Sequence, residues 1–249
     1  MLPAIRSFAA AAAVILSCSA PVAQAGPVVV AEQLAVSSWA DVIRWRPALS
    51  GFRGVEDAQT FTVDSAVGAV ELAGIAVPIY TSSTVPSAQL LVQMWTLDAS
   101  GAPATGSGVL LAEQKVALTD LPAPGADFTN PANWVFVSFA DAHLQLRALE
   151  RYALVIRPDR TVDAVNFEAA WVRSNGPTSG SYELSERYLQ VLDGDGNITT
   201  PWQLSTLAGT ADFAFQVFAT PVSIPEPATG AFVVLGLGLL GLAGRRRKS

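Results

Sequence analysis

The chain has 249 residues, with 15 Lys+Arg against 21 Asp+Glu for a formal net charge of −6, 51% hydrophobic residues, one cysteine and one histidine. Such an acidic balance repels nucleic acid and anionic lipid, so neither is an expected partner. One cysteine excludes a disulfide framework, and one histidine with one cysteine cannot fill a tetrahedral transition-metal shell.

Residues 1–25 read as a secretory signal peptide with a short signal helix. Arg6 is its only charge, Phe8 to Leu16 is an unbroken apolar run, and Ala23-Gln24-Ala25 supplies a small-x-small cleavage site, predicting a mature start at Gly26. An uncleaved anchor is disfavoured because the apolar run is too short to span a bilayer. Acylation of Cys18 is disfavoured because Leu16-Ser17 departs from the usual lipobox. Cleavage after Ala25 removes the only cysteine, so the exported fold has no thiol chemistry and rests on its core alone.

Residues 26–224 are the size of one ordinary domain. The two ends carry five of the fifteen bases (Arg6, Arg245, Arg246, Arg247, Lys248) and one acid, Glu226, so the middle holds ten bases and twenty acids, a net of −10. Strand signals run along it. Val67 to Tyr80 is rich in β-branched residues, and Gln89 to Trp95 offers Leu90, Val92 and Met94 to one face. Trp134 to Phe139 is β-branched and aromatic. Arg151 to Arg157 alternates with Tyr152, Leu154 and Ile156 on one side, and Asp212 to Val217 does so with Phe213, Phe215 and Val217. Turn chemistry separates these runs at Asp98–Gly101, Pro122–Gly125, Asn175–Pro177 and Asp193–Asn197. No segment reads as an amphipathic helix; Ala140 to Leu149 comes nearest and is expected to be a short connection. The fold class is therefore all-β, an antiparallel β-sandwich.

Chemistry is sparse. His143 precedes a strand in Ala140-Asp-Ala-His-Leu144 and reads as a solvated connection, not a triad base, and no Gly-x-Ser-x-Gly elbow exists. Glu56–Asp57, Glu183 with Glu186, and Asp193 with Asp195 are carboxylate pairs, but a glycosidase needs two carboxyls facing each other across a sugar. Asp193-Gly-Asp-Gly-Asn197 starts like a calcium loop with Asp193, Asp195 and Asn197 as oxygen ligands. Ile198 and Leu204 stand where an EF-hand needs glycine and glutamate, so a hairpin turn is preferred and calcium stays a minor alternative. Six tryptophans are expected mostly in the core. Trp202 beside the 193–197 loop, and Trp171 with Tyr182, are the candidates for rings that stack on sugars.

Two resemblances add to this. Leu90–Asp98, Gly101-Ala-Pro, Val109–Glu113, Trp134–Phe139, Leu144–Leu146 and Tyr152–Ile156 together look like a recurrent bacterial surface module of the choice-of-anchor type, which implies a jelly-roll-like sandwich across Val67 to Phe218. The last residues, 225–249, open with Pro225-Glu226-Pro227, continue as an uncharged apolar stretch from Ala228 to Gly244, and end in Arg245, Arg246, Arg247, Lys248 and Ser249. The prolines make the triplet extended, the 17-residue stretch is at the short end of a membrane span, and the basic tail acts as a cytoplasmic stop. This order resembles the PEP-CTERM sorting signal of Gram-negative bacteria. The resemblance implies a transmembrane helix in the precursor, transient anchoring in the inner membrane, and processing by an exosortase protease that recognises Pro225, Glu226 and Pro227. It also implies delivery to the cell surface or exterior. The expectation is a non-enzymatic surface or matrix protein associated with exopolysaccharide or biofilm; the alternatives are a carbohydrate-binding module and a glycoside hydrolase.

Overall fold

The computed structural model describes residues 26–45, 54–83, 85–104, 109–161, 167–174, 186–193, 197–204 and 212–222. The predicted signal helix (1–25) and the sorting segment with its membrane span (225–249) lie outside these residues. No helix among the described residues is long and apolar enough to cross a membrane.

Short strands account for most of what is described: β1 (Val28–Gln33), β2 (Val36–Trp45), β3 (Gly54–Thr62), β4 (Ala69–Val77), β5 (Ile79–Thr81), β6 (Gln89–Trp95), β7 (Leu110–Ala117), β8 (Val135–Ser138), β9 (Gln145–Arg147), β10 (Arg151–Pro158), β11 (Phe167–Ser174), β12 (Arg187–Leu192), β13 (Ile198–Leu204) and β14 (Phe215–Pro221). One sheet runs β1-β14-β4-β8, with β9 also on β4. The other runs β5-β11-β2-β3-β10-β6-β7, with β12 on β3 and β13 on β12. Every strand pairing among the described residues is antiparallel. The first strand, β1, pairs with the last, β14, from Val28 opposite Ala219 to Gln33 opposite Phe215.

A single core joins the two sheets. Val70, Leu72, Ile75, Phe215 and Val217 of the first meet Phe61, Leu90, Val92, Met94, Tyr152, Leu154 and Ile156 of the second. Phe61 is its hinge of contact, 5.7 Å from the Phe215 ring and 6.0 Å from that of Tyr152. Two antiparallel sheets sharing one apolar interior form a sandwich, the predicted class.

The periodicity read from the sequence places the inner face of β10 and β6 correctly, and also shows its limit. Ala153 and Val155, on the opposite face of β10, are just as buried, in a second cluster with Ala58, Trp95 and Tyr188. Alternation in these strands separates two apolar layers, not core from solvent. Residues 140–149 form a one-turn 3-10 helix at Ala140–Ala142 followed by β9, a short connection as expected. The Asp98 turn is closed by its own carboxylate, which accepts from the Ser100 and Ala102 backbone N–H groups at 2.8 and 3.1 Å, while Gly101 takes a φ of 86° that side chains disfavour.

The least expected strand is β3. Gly-Val-Glu-Asp-Ala-Gln-Thr-Phe-Thr reads as polar, yet it pairs with β10 over Asp57–Thr62 and with β12 over Gly54–Gln59. Eight of its nine residues are buried. Truncating the ring at the centre of the interior tests the core directly: Phe61→Ala is expected to cost about 3–5 kcal/mol in chemical denaturation, with the chain's fold otherwise retained.

Candidate functional site

The sequence-derived ring platform fails on burial. Trp171 on β11 has no exposed surface: its ring stacks on Phe213 with centroids 4.1 Å apart and planes 9° apart, and Nε1 donates to the Ala214 carbonyl at 2.9 Å. It is a core residue, because its only polar atom finds a backbone acceptor inside. Its intended partner Tyr182 lies outside the described residues. Trp45, Trp95 and Trp134 are buried as well. Trp202 on β13 is half-buried and packs against the Trp95–Tyr188 cluster, so among the described tryptophan side chains it alone keeps substantial exposure.

β12 and β13 pair with Leu192 opposite Ile198, and Asp193 and Asn197 face each other at that end. Asp193 accepts from the Asn197 backbone N–H at 2.8 Å and from its side-chain amide at 3.1 Å. Both of its oxygens thereby serve the turn; Asp195 lies outside the described residues. His143 is 82% exposed, takes a left-handed backbone conformation and places Nδ1 2.8 Å from Glu71. That is a solvated connection. Ala23 and Ala25, Pro225 to Pro227 and Arg245 to Lys248 are also outside the described residues.

The carboxylate pair Glu56–Asp57 has a different fate from the one its sequence suggests. Neighbours on a strand point to opposite faces, so the two cannot act across one sugar. Asp57 turns into the sandwich interior and Glu56 to the outer face of the same sheet, and each is buried with at most 1% exposure. No hydrogen bond reaches their oxygens among the described residues. Burial pushes Asp57 up to about 8, against the pull of the Arg173 guanidinium and with a further push from Glu56. Burial raises Glu56 too, opposed by Arg160 and Arg157; Arg160 makes an ion pair with it at 3.4 Å. Around Asp57 the interior carries more charge. Arg173 and Arg187 both form ion pairs with Asp41 of β2, and the Arg187 guanidinium lies 4.8 Å from the Phe213 ring centroid. Burial brings Arg187 down to about 10, with Asp212 pulling it back up. Gln59 accepts from the Phe213 backbone N–H at 2.8 Å.

This arrangement has a pH consequence with a definite sign. The folded state holds the Asp57 proton more tightly than the unfolded chain does, whose carboxyl has the ordinary value of 3.8. The stability it contributes is complete below that value and declines as pH rises to about 8. Asp57→Asn keeps the shape and removes the titration. In denaturant melts between pH 4 and 9 the variant is therefore expected to lose less stability with rising pH than the parent chain.

A further concavity lies elsewhere, between the end strands β7 and β8 of the two sheets. It is a groove of about 670 Å³ whose lining includes Gln114, Lys115, Asp120, Asn133, Trp134, Phe136 and Ser138. Lys115 is engaged at its rim by Asp159 at 2.7 Å. The carboxyl of Asp159, although burial pushes it up, is held below its ordinary value by Lys115 and Thr161. Trp134 fixes the loop before β8 by donating from Nε1 to the Phe128 carbonyl at 2.8 Å. Phe136 is 56% exposed. Its ring is seated over Gly74, where an added Cβ would come within 2.3 Å of Phe136 Cζ and 2.8 Å of the Val137 carbonyl oxygen. Phe218 meets it edge-on at 5.7 Å. Gly74→Ala is expected to displace this ring and destabilise the sheet by about 1–3 kcal/mol, measurable as a lowered denaturation midpoint. No single residue type announced this groove in the sequence; it exists because two strands distant in the chain, at 110–117 and 135–138, end up at neighbouring sheet edges.

The sandwich and the chain that follows it define the class: an antiparallel β-sandwich whose last strand leads straight into a sorting segment. Residues 223–248 match the family model described as the PEP-CTERM protein-sorting motif. The chain thus carries a PEP-CTERM signal, the mark of a protein exported and sorted through exosortase. None of the curated proteins compared with it matches the chain.

Proposed function

We propose that this is a non-enzymatic exported protein of the cell surface or extracellular matrix, associated with exopolysaccharide or biofilm. The observation that carries the reading is the sorting motif at 223–248, which begins directly after the last described residue, Val222. The precursor is held transiently in the inner membrane by the apolar stretch Ala228–Gly244, with Arg245–Lys248 on the cytoplasmic side. Processing takes place at or near Pro225-Glu226-Pro227, where Glu226 is the only charge of the segment before the basic tail and supplies the recognition handle. The sequence pattern of a choice-of-anchor module over 67–218 supports the surface address, as does the acidic, thiol-free composition of residues 26–224.

Intact mass of the product from its own host tests the sorting part. The expected mature form starts at Gly26 and ends at or near the triplet, whereas a C-terminus at Ser249 overturns it. Glu226→Ala, or loss of Arg245–Lys248, is expected to leave unprocessed chain in the inner-membrane fraction. Saturable co-sedimentation of the mature protein with the host's exopolysaccharide tests the association. A carbohydrate-binding role is the second reading, favoured by the polar and aromatic lining of the β7–β8 groove.

A further inference from the structure

We infer that the groove between β7 and β8 is a binding cleft for a neutral polysaccharide chain, with Phe136 as the ring on which a sugar sits. The inference deepens the carbohydrate-associated reading above and rests on it.

Phe136 has the properties of a platform. More than half of it is exposed, and it is held from below by the glycine backbone at Gly74 and from the side by Phe218. One side of a fixed aromatic ring is left for a ligand. The face of a π-system is negative, and the carbon-bound hydrogens on the apolar face of a pyranose are the complementary partner. Hydroxyl partners stand nearby. Gln114 has an amide that makes no hydrogen bond among the described residues. Asn133 spends its amide nitrogen on the Asp127 carbonyl at 2.6 Å, with no partner among the described residues on its oxygen, and Ser138 offers a hydroxyl. Amides and hydroxyls of this kind can both donate to and accept from sugar hydroxyls.

Charge selects for a neutral chain. Lys115 and Asp120 are the charged side chains of the lining, and Lys115 is already bound to Asp159. The lining's one cation therefore already faces a carboxylate, and a domain with a net charge of −10 over residues 26–224 repels a uronate or sulfate. A peptide strand is a poorer occupant, although among the described strands β7 and β8 each end their sheet. Their Cα atoms approach within 8 Å, whereas a strand inserted between two others needs them about 9.6 Å apart.

The test uses the mature protein from its own host in affinity gels containing dextran, laminarin or hydroxyethyl cellulose, with alginate as the anionic comparison. Retardation is expected in at least one neutral gel and absent in alginate. Phe136→Ala is expected to weaken it about tenfold, the scale of one lost aromatic contact. Phe136→Trp keeps a ring and is expected to keep binding. Because the ring also covers Gly74, Gln114→Leu provides a second variant that leaves the platform in place and is expected to weaken binding several-fold. Trp202→Ala is expected to change nothing. Three results overturn the inference: no retardation in any neutral gel, retardation in alginate alone, or retardation untouched by both Phe136→Ala and Gln114→Leu. Intact mass of the same preparation separates the two levels. Correctly processed protein that is never retarded removes the groove and leaves the sorting reading standing, while retarded protein ending at Ser249 does the reverse.

Discussion

The fold depends on keeping β3 dry. This strand sits between β10 and β12, meets the end of β2 at Arg44–Val55 and Trp45–Gly54, and contributes to both apolar layers of its sheet. Its side chains are an awkward choice for that position, since Glu56, Asp57, Gln59 and Thr60 are all buried. Burying a charge is costly unless it is paired or neutralised. Asp57 takes the second route by holding a proton near neutral pH, and Glu56 combines a raised pKa with the Arg160 ion pair. The same sheet then carries the groups that answer to β3: Arg187 on β12, Asp41 on β2 and, one strand further on, Arg173 on β11. Gln59 completes the arrangement by binding the Phe213 backbone, which seats the ring that stacks on Trp171. A chain with a single cysteine has no internal disulfide and draws its order from such mutual satisfaction of backbone and side chains.

The same residues explain what the sequence made legible. β6, β10 and the Phe213–Val217 run were readable because their inward residues are large and apolar at every second position, and period two needs no partner to be seen. The hairpin at 193–197 was readable because Asp and Asn bind their own backbone. β3 was not readable. Its burial comes from two neighbours, 89 to 99 residues away in one case and 128 to 138 in the other, and nothing local distinguishes Glu56–Asp57 from a surface pair. Trp171 failed for a related reason: whether an indole lies in a groove or under another ring is decided by what the fold brings over it, here Phe213.

Site legibility divides along the same line. The sorting segment is a linear signal, written in consecutive residues so that a protease and a membrane can read it, and it was therefore complete in the sequence. The β7–β8 groove is a surface signal. Its Gln114 and Phe136 are ordinary residues in their own strands, and become neighbours only because each of those strands ends a different sheet. Gly74 is the one hint, a glycine inside a strand that the sequence shows as small but whose purpose is visible only with a ring above it.

The pairing of β1 with β14 gives the chain a clock. An export channel delivers residues in order, from Val28 towards Pro221, so the first strand emerges while β14, its partner among the described strands, is still on the far side of the membrane. β4 likewise waits for β14 along Val70–Ala76. The first sheet therefore cannot close until β14, which ends just before the sorting motif at 223–248, has been delivered. Until then the exposed edges of β1 and β4 are unpaired strands in a crowded compartment, the state most open to degradation or misassembly. A chain cut short before residue 215 lacks β14 and never closes that sheet, so the strand that completes the fold is also the one that hands the chain on to the sorting motif.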